Sequence, residues 1–193
     1  MGYQWSNQKR LSQDKIPSIE MIIEIAESID DIKIRALFCI LYLTAGRIRE
    51  VIPNRKKNFP SIKKEDFSYS YKDDRKYISI DIRNEKHKSR KRKEIPLPMD
   101  KEENIRLWKL IKEYLDTLKL NEELFTFSYQ YAYKRLKPYI DGNPHWLRHI
   151  RLTHLITVYN FNENLLQRYA GWTDTRPSKN YAELNIGDLL DKL

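Results

Sequence analysis

Residues 143–184 read NPHWLRHIRLTHLITVYNFNENLLQRYAGWTDTRPSKNYAEL. His145 and Arg148 form an H-x-x-R pair, Gly171-Trp172 follows, and Tyr181 comes nine residues after the tryptophan. Three apart on a helix, His145 and Arg148 share a face and can meet one anion. Pro144 suits the first turn of that helix, while Asn162 is placed to cap the next and Gly171 to end it. Far upstream, TAGRIRE at 44–50 supplies Arg47 and Glu50. Two arginines, a histidine, an indole donor and a late tyrosine are the groups needed to hold a phosphodiester and attack it. Guanidinium donates two parallel hydrogen bonds to phosphate oxygens and stays charged. Two such groups neutralise the charge that grows on phosphorus during transfer. The Trp172 indole can only donate, and a phenol becomes a nucleophile when it loses its proton in step with attack. Singly these residues say little. H-x-x-R recurs by chance, Trp172 could be a core aromatic, and the chain holds 13 tyrosines. The combination carries the reading.

The composition agrees with a polyanionic partner. The 193 residues suffice for one domain with a real core. Lys and Arg number 36 against 27 Asp and Glu, a net charge of +9. A basic chain without a membrane signal most often has a polyanionic partner. Seven Lys/Arg and one Glu crowd into RNEKHKSRKRK at 83–93, either a solvated loop or a DNA-holding one. The apolar run ALFCILYL spans only eight residues, too short for a membrane crossing. Residues 1–15 are polar and lack the apolar stretch of a signal peptide. The lone Cys39 leaves no intrachain disulfide and reads as a small buried thiol, so an intracellular, cytoplasmic protein is expected. No Cys/His or paired-carboxylate cluster points to a metal, and no aromatic stacking motif favours RNA.

Periodicity gives the organisation. Residues 1–16 read as a linker or N-terminal remnant. Pro17-Ser18 opens a helix with Ile19, Ile22, Ile23 and Ala26 on one face. A second helix from Ile32 to Ala45, apolar on most sides, is expected at the centre of the core, with Gly46 ending it. From 60 to 97 the period becomes two, which predicts a three-stranded antiparallel sheet at about 66–71, 77–82 and 92–96. The basic run then lies at the tip of the second hairpin. Helical patterns return at about 103–118 and 128–140, and the tail 186–193 has Ile186, Leu189, Leu190 and Leu193 at helical spacing. The expected fold class is mainly α with a small antiparallel sheet.

These boxes together resemble the tyrosine recombinases, the family of phage integrases and Xer-type recombinases. TAGRIRE resembles the first box, usually near T-G-x-R-x-x-E; here its glycine is shifted by one. HWLRH resembles H-x-L-R-H, RYAGW the turn written LGH or AGW, and KNYAEL the nucleophile box. The hairpin closing in KEIPL resembles the family's, whose lysine lies eight residues before the proline and so selects Lys88. Likeness extends over residues 17–184.

The resemblance implies the fold of that family's catalytic domain, over about 17–185. It implies that Tyr181 attacks a phosphodiester of double-stranded DNA and becomes a 3′-phosphotyrosine. Arg47 and Arg148 would clamp the non-bridging oxygens and Trp172 would donate to one. Lys88 would protonate the departing 5′-oxygen, His145 would assist the proton of Tyr181, and Glu50 and His149 would support the site. Lys86, Arg90 and Lys91 compete with Lys88 for its role; with Arg92 and Lys93 they are expected to hold DNA. The covalent bond conserves the phosphodiester energy, so neither ATP nor a metal is required. Strand exchange implies four protomers on DNA, from a chain monomeric without it. Family members usually carry a further N-terminal helical domain, of which this chain has about 16 residues, so a catalytic fragment or a minimal enzyme is expected. A nicking-closing enzyme of the type IB topoisomerase kind and a non-catalytic DNA-binding protein of the same fold are the rival readings.

Overall fold

A computed structural model of the chain describes residues 16–83 and 92–178. In order, the main elements are α1 (Ile19–Glu27), α2 (Ile32–Thr44), the single-turn α3 (Ile48–Val51), β1 (Phe67–Lys72), β2 (Arg75–Arg83), β3 (Arg92–Pro98), α4 (Glu102–Leu115), α5 (Tyr129–Leu136), α6 (His145–Thr157) and α7 (Glu163–Ala170). The fold is mainly helical with one three-stranded antiparallel sheet, as the periodicity predicts. Residues 1–15, Lys86, Lys88, Arg90, Lys91, Tyr181 and the tail 186–193 lie outside the described residues.

Local chemistry sets the ends of these elements. Ser18 caps α1 by accepting the Met21 N–H, and Ile22, Ile23 and Ala26 are buried. Asp31 caps α2 by accepting from Lys33 and Ile34. Every side chain of α2 from Ala36 to Thr44 is buried, because α1, α4, α5 and α6 all pack against it; a helix apolar on most sides is stable only in such a place. It ends one residue earlier than the sequence predicts. Ala45, not Gly46, takes the left-handed cap, with φ 44°. That is the position at which the T-G-x-R pattern has glycine, and an alanine there costs about 1 kcal/mol. Gly46 is required for space: a Cβ would come within 2.7 Å of Thr44 Oγ1.

The first hairpin is tighter than expected. Asp73 and Asp74 both have positive φ, and Lys72 pairs with Arg75, so a two-residue turn joins β1 to β2. In β2 and β3, Ile78, Ile80, Ile82, Ile95 and Leu97 are buried in the core. α5 stops at Leu136 rather than near 140, because Pro138 has no N–H to continue the α-helical ladder and the chain, with Lys137 still helical, tightens into a 3-10 turn at Lys137–Tyr139. Asn162 caps α7 through the Leu165 N–H, and Gly171 ends it with φ 68°. Among the described residues no helix is long and apolar enough to cross a membrane.

One buried histidine ties the start of the chain to the helices that carry the site. His154 on α6 bridges the Pro17 carbonyl oxygen, 2.9 Å from Nε2, and the Tyr42 hydroxyl, 2.8 Å from Nδ1. A neutral ring fits both partners: Nε2–H donates to Pro17 and Nδ1 accepts from Tyr42. Burial pushes the imidazole down to about 4; the Pro17 bond opposes this and the Arg151 cation adds to it. The unfolded chain therefore binds a proton near pH 6.5 that the folded chain refuses until about pH 4. Protonating His154 inside the fold is therefore costly, and stability should fall by up to about 3 kcal/mol as pH drops from about 6.5 through 4. Urea denaturation of wild type and His154→Gln at pH 7 and pH 4.5 should show the stability gap narrowing in acid. A constant gap would contradict it.

Candidate active site

The cleft is assembled where α2 ends. Arg47 is the first residue of the turn into α3, and Glu50 closes that turn on itself. One Glu50 carboxylate oxygen accepts the Arg47 backbone N–H at 2.9 Å, and the other accepts Nη1 of the same residue at 2.8 Å. Glu50 is only 1% exposed. A buried carboxylate bound at both points fixes the arginine side chain in one orientation, and removing it would leave a partly buried guanidinium without its carboxylate.

Arg148 comes from α6 and is 5% exposed. Its Nη1 donates to the Ala45 carbonyl and its Nη2 to the Ala170 carbonyl, the latter at 3.0 Å. These carbonyls lie at the C-terminal ends of α2 and α7, where unpaired C=O groups make a partial negative charge that favours a cation. The guanidinium carbon is 5.6 Å from the centre of the Trp172 ring. Trp172 therefore lines the site, while its ring also packs against the small apolar cluster of Leu152, Leu155, Ile156, Leu166 and Ala170. Its core and cleft roles coexist.

Lys93 stands beside this pair. On β3 its neighbours Arg92 and Glu94 face outward: Arg92 binds Asp81 at 2.7 Å and also Asp66, and Glu94 accepts from Ser79 Oγ. Lys93 shares the inward row of Ile95 and Leu97, and its Nζ lies 3.3 Å from the Thr44 carbonyl oxygen and 3.4 Å from that of Tyr169. Burial pushes this amine down to about 7; Glu50 opposes that shift, and Arg148 and Arg47 add to it.

His145 and His149 occupy the exposed rim of α6, with ring centres 6.1 Å apart and edge to face. Desolvation against the cleft wall pushes His145 down to about 4; Arg148, His149 and Arg47 act in the same direction, and Glu50 against it. Desolvation and Arg148 also lower His149. Both rings are thus neutral at neutral pH, and His145 can accept a proton.

Of the residues singled out from the sequence, the structure brings Arg47, Glu50, His145, Arg148, His149 and Trp172 to one cleft. Lys93, expected to hold DNA with its basic neighbours, instead turns its amine inward to them, because it shares the parity of Ile95 and Leu97 on β3. Arg92 is held on the outer face by two aspartates. Arg151, one turn after Arg148, went unnoticed in the sequence. It is 5% exposed, and its guanidinium carbon lies 5.2 Å, 5.1 Å and 6.0 Å from the ring centres of Tyr42, Tyr159 and Tyr169. Such a cage stabilises a buried cation through the ring faces. The Tyr169 hydroxyl also donates to the Leu43 carbonyl, so the cage joins the ends of α2 and α7 on which Arg148 and Lys93 depend. No local pattern announces it, because its three tyrosines come from separate segments.

No protein-family model matches the chain. No curated protein matches it in sequence. Solved structures do match. The XerH site-specific recombinase bound to difH substrate in a pre-cleavage complex superposes with a TM-score of 0.65 at 20% identity, over 95% of this chain and 52% of that one. The same recombinase bound to a palindromic difH substrate in a post-cleavage complex gives 0.61 at 20% identity, over 98% of this chain and 57% of that one. The chain thus spans about half the length of the recombinases it matches. On this likeness, the fold of this chain is that of the tyrosine recombinase catalytic domain.

Proposed function

We propose that this chain is the catalytic unit of a site-specific DNA recombinase or integrase, cutting and rejoining DNA through a 3′-phosphotyrosine at Tyr181. The observation that carries this reading is the meeting of Arg47 and Arg148, 101 residues apart in sequence, beside neutral His145 in one cationic cleft. The likeness to a recombinase solved on its DNA supports it.

In this scheme the phosphate lies between the two guanidiniums, with the Trp172 N–H at one oxygen. Tyr181 Oη attacks phosphorus and gives its proton to His145. The bond from phosphorus to the 5′-oxygen breaks, and Lys88 protonates that oxygen as it leaves. The reverse reaction with a new 5′-hydroxyl restores the diester, so no energy source is required. Glu50 keeps Arg47 in place, His149 supports the rim, and Lys86, Arg90, Lys91 and Arg92 contribute charge toward the DNA backbone. Strand exchange would need four such protomers on two duplexes.

A duplex nicked a few nucleotides past the cut tests the scheme, because the short 5′-hydroxyl fragment diffuses away and traps the adduct. A covalent protein–DNA band on denaturing gels, with the protein on the 3′-phosphate, is expected. DNA binding without such a band across a library of nicked duplexes would favour the non-catalytic alternative.

A further inference from the structure

Lys93 occupies a position at which an apolar side chain would be expected. It continues the inward row of Ile95 and Leu97 on β3 and pairs in register with the buried Ile82. A lysine there requires compensation, since a partly buried ammonium on the core-facing side of a strand is costly unless it is paired. The compensation is weak: two neutral carbonyls, at Thr44 and Tyr169, both beyond 3.2 Å. Around it stand two permanent cations, Arg47 and Arg148, and a single carboxylate, Glu50, which Arg47 already binds. His145 and His149 face the cleft from α6 and are neutral near pH 7. Among the described residues the cluster therefore carries an excess of positive charge, and one phosphodiester would neutralise it.

We propose that Lys93 is a positioning residue of the phosphodiester site, a third cation behind the two-arginine clamp, which takes up a proton from solvent when a DNA phosphate docks. The step is –NH2 plus a buffer proton giving –NH3+, with no bond to the DNA. The resulting ammonium donates to the carbonyls that end α2 and α7, so it tightens the same helix ends that orient Arg148. The amine's value of about 7 in the free protein leaves room for this uptake near neutral pH. An incoming anion within several ångströms favours the charged form. The inference rests on the strand-cleavage reading of the cleft.

The test counts protons. Calorimetric binding of a 30-base-pair duplex to the Tyr181→Phe protein at pH 7.2, in two buffers of different ionisation enthalpy, should show uptake of roughly half a proton. Lys93→Met, of similar length and uncharged, should lose that uptake. Lys93→Arg, charged at every pH, should lose it too while binding more tightly than the methionine variant. Both variants are first checked for a cooperative melt. With Tyr181 intact, Lys93→Met should form the covalent adduct on the order of 10²-fold more slowly, as for a displaced clamp. A duplex with sulfur as the 5′-bridging atom, which needs no acid, should rescue Lys88→Ala but not Lys93→Met. Equal proton uptake in wild type and Lys93→Met would overturn the proposal, and sulfur rescue of Lys93→Met would make Lys93 the acid itself. If the wild type forms no adduct, the strand-cleavage reading fails, while the calorimetric comparison still decides the role of Lys93.

Discussion

Tyr181→Phe is expected to bind DNA as the wild type does and to form no covalent adduct at all. The substitution removes one oxygen from a side chain in the polar stretch RPSKNYAEL, so folding should hardly change. It removes the only atom able to bond to phosphorus in the proposed scheme, and no slower route replaces a missing nucleophile. Denaturing gels with the nicked duplex, alongside a mobility shift with intact duplex, measure both effects. Two other tyrosines are poor substitutes. The Tyr159 hydroxyl donates to Glu103 and that of Tyr169 to the Leu43 carbonyl, and burial pushes the Tyr159 phenol above its ordinary range. A covalent band from the phenylalanine protein would show that the nucleophile lies elsewhere.

Arg148→Ala should damage chemistry and stability together. Its guanidinium holds the carbonyls of Ala45 and Ala170, so the truncated protein leaves two helix ends without their donor. That should cost about 1–3 kcal/mol per carbonyl left unsatisfied, read as a lower urea midpoint. Cleavage should fall about 10²–10³-fold beyond any loss of folded protein, as when one preorganised donor is removed from a developing anion. Arg148→Lys separates the two terms. It restores the charge but not the planar fork, so stability should recover in part while cleavage stays low. Cleavage by the lysine variant at the wild-type rate would mean that charge alone is used at this position.

The helices were legible where apolar spacing and caps coincide. Ser18, Asn162 and Gly171 all act as the sequence predicts, because a cap is a bond between residues three or four apart. The sheet was legible in its alternation, and its first turn was misjudged because two aspartates can adopt the left-handed conformation as readily as a longer loop can form. Gly46 was assigned the helix-ending role that Ala45 takes; a glycine signals small size as well as backbone freedom, and the two cannot be told apart from sequence alone.

The same division holds in the cleft. Arg47, Glu50, His145, Arg148 and Trp172 could be picked out from the sequence, since each belongs to a short box whose internal spacing is set by one helix turn or, for Trp172, by the glycine cap that ends α7. Lys93 could not be separated from its basic neighbours, although its parity with Ile95 and Leu97 was a usable signal. The spacing of the boxes determined which groups are proposed to meet a phosphate. Only the tertiary structure decided that Lys93 faces inward, that Arg148 is anchored on the ends of two helices, and that Arg151 lies among three tyrosines. Those outcomes depend on where α2, α6, α7 and β3 converge, and packing between segments far apart in the chain leaves no local mark on any one of them.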